Sequence, residues 1–133
     1  MTEPPRRNRA NGAVIRDWLD EVWARTEAAV ILEGGDNGGP LAQRGIRGEV
    51  FAPEDLAELR ALTTTGAFAD DVCRCHGGPT IALLDAEGEF IGSGSVHGAT
   101  DVSWERARFR NNLEVADPER LVAFLERHGV RMR

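Results

Sequence analysis

The chain has 133 residues, 41% hydrophobic and 29% charged, with a formal net charge of −6. That length holds one modest core, and the acidic balance argues against general nucleic-acid binding, which needs a basic field. The longest apolar run, Ala28 to Leu32, is too short to span a bilayer.

Residues 1–10, "MTEPPRRNRA", are polar and rich in proline and arginine, and they read as a flexible terminus. They lack the apolar stretch of a secretory signal, so the expected compartment is the cytoplasm. Residues 11–133 read as a single domain. Asn11 is a candidate cap for a helix in which Val14, Ile15, Trp18, Leu19, Val22 and Trp23 recur at helical spacing. Ala28 to Leu32 either continues that helix or begins a strand. Six glycines between Gly34 and Gly48 predict a mobile connection. No lysine follows them, so a nucleotide-cradling loop is not indicated.

"FAPEDLAELRAL" predicts a second helix, with Pro53 in its first turn and Glu54 and Asp55 at its positive end. The pattern then becomes strand-like. Thr80 to Asp85 is a short apolar run, Phe90 to Val96 returns, and Thr100 to Arg110 supplies one or two further strands. Asp117 caps a last helix that stops at Gly129, with His128 near its negative end. The expected fold is α+β, an antiparallel meander of three or four strands with about three helices on one face.

The chemistry concentrates between Asp70 and Gly98. This stretch holds both cysteines, in Cys73-Arg74-Cys75-His76, and also His97. "Ala86-Glu87-Gly88" suits a three-residue hairpin loop with Gly88 in the left-handed region. Counting from it pairs Leu83 with Ile91, Ile81 with Ser93, and Gly77 with His97. Cys73 and Cys75 would then share the His97 face. A register shifted by one residue would instead bring His76 beside His97. Gly77-Gly78-Pro79 is the weak link, because it can break the strand. Gly92 and Gly94 on the other face suggest a helix lying close upon "IGSGSV".

Three readings of the cysteine segment follow. Two thiolates with one or two imidazoles match the donor types of a zinc site, although structural zinc sites usually space their cysteines more widely. Arg74 can lower a neighbouring thiol pKa, but cysteines at i and i+2 of an extended strand do not bridge without bending. The third reading is that both cysteines are small buried hydrophobes with no bound group.

Elsewhere, "WERARFR" reads as one strand whose alternation places Trp104, Arg106, Arg108 and Arg110 on a single face. Such a face could receive an acidic protein or an anionic ligand. Ser93 and Ser95 do not form a hydrolase nucleophile elbow.

The segment "CRCHGGPTIALLDAEGEFIGSGSVHG", with the tryptophan strand and "LVAFLERHG", resembles a group of small actinobacterial proteins. Their pattern is Cys-x-Cys-x-Gly, a hairpin, a His-Gly turn and a tryptophan, and it covers about the last seventy residues. Here "VHG" holds one histidine where the pattern holds a pair. The resemblance implies no activity.

The function expected from the sequence is a cytoplasmic accessory or protein-interaction module without enzyme activity or cofactor. Its surface would be the arginine face together with the Gly34–Gly48 loop. The alternative is a zinc-type protein using Cys73, Cys75 and His97, with His76 as a further candidate. A thiol-redox enzyme is third.

Overall fold

The computed structural model describes residues 12–35, 39–69, 77–98, 100–106 and 109–132. Helix α1 spans Gly12–Ala24 and leads into strand β1, Ala28–Leu32, so the apolar run after the helix is a strand. A short 3-10 turn at Leu41–Gln43 precedes β2, Ile46–Val50, and α2 follows at Pro53–Thr64. The strands β3 (Gly66–Ala69), β4 (Thr80–Leu84), β5 (Phe90–His97), β6 (Asp101–Arg106) and β7 (Phe109–Val115) come next, and α3 (Pro118–Arg127) closes the order. No described helix is long and apolar enough to cross a membrane.

The class is α+β as expected, but the sheet has seven antiparallel strands in the order β2-β1-β4-β5-β6-β7-β3, not three or four. The strands from β4 to β7 form the expected meander. The surplus is β1 and β2 on one side and β3 on the other. Gly48 belongs to β2, so the glycine-rich connection ends earlier than the glycine count suggested.

All three described helices contribute to one core against one sheet face. Ile15, Leu19 and Trp23 from α1, Leu59 from α2, and Leu121, Phe124 and Leu125 from α3 meet Ile31, Ile81, Leu83, Val96, Val102 and Leu113. Burying each such side chain favours folding by about 1.5–3 kcal/mol before the entropy of ordering is counted. Trp104 lies at the centre of this layer with no exposed area. Its ring meets Trp23 edge-on at 6.3 Å, and its Nε1 donates to the Thr63 carbonyl at 2.9 Å.

The helix ends follow the sequence. Pro53 opens α2 with Glu54 and Asp55 in the first turn. Asp117 caps α3 by accepting from the Arg120 amide at 3.2 Å, and Gly129 takes φ +86 just past the end. The His128 ring stacks on Phe124 at 4.3 Å, with Nε2 3.5 Å from Asp55. Asp117→Ala should lower stability by about 0.5–2 kcal/mol in urea unfolding, because it leaves a first-turn amide without its partner. Asn11 lies outside the described residues.

Candidate functional site

The β4–β5 hairpin sets the register that matters for chemistry. Its loop is the one expected: Gly88 has φ +79, its amide donates to the Asp85 carbonyl at 3.0 Å, and the Asp85 amide donates to Glu89 at 3.0 Å. Asp85 Oδ1 further accepts from the amides of Glu87 and Glu89. Leu84 then pairs with Phe90, but Leu83 pairs with Gly92, so Ile91 is an extra residue in β5. Such a bulge moves the register by one and exchanges the two faces of β4 relative to β5.

The expected pairs of Leu83 with Ile91 and Ile81 with Ser93 are therefore replaced. Ile81 pairs with Gly94, Ala82 with Ser93, and Thr80 with Ser95. Ile81 and Leu83 point into the helix-covered core, while Thr80 and Ala82 share the opposite face with Ser93, Ser95 and His97. Gly92 does lie under a helix, since a Cβ there would meet Val22 of α1 at 3.0 Å. Gly94 is instead crowded by the Trp104 ring, at 2.9 Å.

The face away from the helices carries a row of small polar side chains. Thr80, Ser95, Ser103 and Asn112 are successive cross-strand partners on β4, β5, β6 and β7, and all four are buried. In the next row His97 pairs with Asp101. Asp101 accepts from the Asn112 side-chain amide and from the Thr100 hydroxyl, which fixes its carboxylate. His97 is only 8% exposed.

Gly77 sits against this histidine. A Cβ on Gly77 would come within 2.6–2.8 Å of His97 Cε1, Nδ1 and Nε2, so the nitrogen-bearing tip of the ring is its nearest part. Gly35 also lies close to Gly77, since a Cβ on it would run into the Gly77 carbonyl. Gly77 is thus approached by both Gly35 and the imidazole, which two glycines permit. The glycine-rich connection and the end of the cysteine segment meet here.

Regular pairing ends at Thr80, and the Val96 amide still donates to the Pro79 carbonyl at 2.9 Å. The Gly78-Pro79 peptide is cis, Gly78 has φ +146, and the Gly78 amide donates to Val96 at 2.7 Å. The count that paired Gly77 with His97 across a regular hairpin fails, yet Gly77 still reaches the His97 ring. Cys73, Cys75 and His76 themselves lie outside the described residues. Among the described residues no group of three or more His, Cys, Asp or Glu is placed to hold a metal ion.

The arginine face does not form as one strand. The chain reverses between β6 and β7, pairing Arg106 with Phe109 and Glu105 with Arg110. Trp104 faces the helices, and Arg110, opposite Glu105, lies on the other face and is exposed. Arg108 lies outside the described residues, as does the side chain of Arg106.

The sequence reading missed Arg44. Its guanidinium donates from Nε and NH2 to the Gly39 carbonyl at 3.0 and 2.8 Å, and from NH1 to Thr80 Oγ1 at 2.7 Å and the Gly34 carbonyl at 3.4 Å. Thr80 Oγ1 donates in turn to the Gly34 carbonyl at 2.8 Å. Nothing in the local sequence marks Arg44 among sixteen arginines.

Comparison with protein-family models, with curated proteins and with solved structures finds no match.

Proposed function

We propose that the chain is a metal-binding protein of the zinc type, with Cys73, Cys75 and His97 as ligands and His76 as a candidate fourth. One observation carries this reading: the nitrogen-bearing tip of a buried imidazole is turned to Gly77, the residue directly after His76. Cys75 and Cys73 precede Gly77 by two and four residues in the sequence. Two thiolates and an imidazole are the donor types that tetrahedral zinc takes, at about 2.3 and 2.0 Å. A carboxylate also stands on the neighbouring strand, since Asp101 is the cross-strand partner of His97 and is bonded to the Asn112 side chain.

The accessory-module reading relied on a face shared by Trp104 and the arginines, and Trp104 and Arg110, its two described side chains, lie on opposite faces of the sheet. The thiol-redox reading has no comparable support.

Cobalt titration of the reduced, metal-free protein tests the proposal. One equivalent should bring up a thiolate-to-cobalt charge-transfer band and tetrahedral visible bands, and zinc should bleach both. His97→Ala should weaken the visible bands, and the Cys73→Ser/Cys75→Ser double variant should abolish the charge-transfer band. A wild-type protein that gives no thiolate band overturns the reading.

A further inference from the structure

We infer that the groove between α1 and α2 is a binding site for a small carboxylate with an apolar body. It is separate from the His97 face, and neither reading depends on the other.

The groove holds about 320 Å³, the lower end of what small-molecule sites offer. Its walls come from the end of α1 and from one side of α2. Leu56, Arg60 and Thr64 recur at one-turn spacing along α2, with Ala57 and Ala61 beside them. The two alanines are exposed, and they leave a hollow that longer side chains would fill. Trp23 walls the groove on the α1 side and is only 5% exposed.

The polar groups of the groove decide what it accepts. The Thr26 hydroxyl donates to the Val22 carbonyl at 2.8 Å, and the Thr64 hydroxyl to the Arg60 carbonyl at 2.6 Å, so both protons are spent on backbone. The Trp23 indole differs, because its Nε1 is buried and has no hydrogen-bond partner among the described residues. A buried donor left in that state costs stability, and native structures rarely keep one without an acceptor. Arg60 donates to Asp20 at 3.0 Å and keeps further N–H groups. That ion pair is exposed on both sides, so it is weak and open to exchange. No carboxylate is among the lining residues. The groove therefore offers two donors, one of them cationic, and calls for a negatively charged acceptor. A carboxylate meets both needs. One oxygen accepts from Trp23 Nε1 and the other from the Arg60 guanidinium, while the apolar body lies against Leu56, Ala57 and Ala61.

Phenylacetate is the probe. Phenethylamine is the control, since it keeps the ring and carries a cation in place of the carboxylate. In proton–nitrogen spectra of the full chain, the Trp23 indole resonance should move downfield and saturate with phenylacetate, and stay in place with the amine. Trp23→Phe assigns that resonance by its loss. Where this variant does not fold, Trp18→Phe and Trp104→Phe assign it by elimination. Arg60→Gln should weaken phenylacetate binding about tenfold, as expected for a lost hydrogen bond to a charged group. Ala57→Leu should abolish binding by filling the groove, and at an exposed helix position it should leave the fold intact. A Trp23 resonance that phenylacetate does not move overturns the site. An equal shift in Ala57→Leu overturns it too, because the ligand is then bound elsewhere. An equal response to the amine, or full affinity in Arg60→Gln, overturns the carboxylate as the ligand class.

Discussion

Gly77→Ala should lower stability by about 1–3 kcal/mol, the usual cost of forcing a methyl into filled space, and should remove His97 from any metal site. The new Cβ would stand 2.6 Å from His97 Cε1, closer than such atoms approach, so the ring must swing aside. His97 is buried, so the ring has little room to swing into. A double-mutant cycle isolates this effect. In the His97→Ala background the same change at Gly77 should cost less than half as much, since the clash partner is gone. Urea unfolding of the four proteins gives the coupling directly. Additive costs would show that Gly77 is crowded by something other than the imidazole.

The largest loss expected anywhere in the chain is at Trp104. Trp104→Ala should cost about 3–5 kcal/mol, because an indole with no exposed area leaves a cavity between β6 and the helices. Trp104→Phe separates two parts of that cost. It keeps an aromatic ring opposite Trp23 but withdraws the Nε1 donor from the Thr63 carbonyl, which should cost about 1–3 kcal/mol where the carbonyl stays dry. Urea unfolding of wild type and both variants measures each step. A loss near zero for Trp104→Phe would show that solvent or a rearranged neighbour reaches the carbonyl of Thr63.

Trp104 also shows how the sequence could mislead. Alternation in "WERARFR" is real, but alternation does not reveal where a strand turns back. The chain reverses inside the motif, so its two ends lie on antiparallel strands, with Trp104 facing the helices and Arg110 on the other face. The hairpin at Asp85–Glu89 was legible because glycine at the left-handed position and an aspartate facing two amides are local features. The bulge at Ile91 has no such signature. One unpaired residue exchanged the faces of β4 relative to β5, which put Thr80 in place of Ile81 on the histidine side.

The same distinction explains the extra strands. "GAFA" and "IRGEV" are short and poor in alternation, and each becomes a strand because a distant partner is there to pair with it. α2 and α3 each open on a proline with acidic residues in the first turn, so their starts could be read locally. At the site, the nearness of Gly77 to His97 followed from the hairpin even though the register shifts by one residue first. The role of Gly35 did not, because a glycine-rich loop shows freedom in the sequence and shows close packing only once its neighbour is known.

The strand order has a consequence for how the protein is made. Strands β4 to β7 pair with their sequence neighbours, contacts that close quickly because the intervening loops are short. The first half of the chain has no such independence. β1 pairs Ala28–Leu32 with Thr80–Leu84, and β3 pairs Gly66–Ala69 with residues of β7, the last described strand to be synthesised. During synthesis, α1, β1, β2, α2 and β3 leave the ribosome with their apolar faces uncovered, and β1 has only β2 beside it. A nascent chain halted near Ala69 should thus be open to proteases and dependent on chaperones. One halted after α3 has left the exit tunnel should resist cleavage, because β3 has by then met β7.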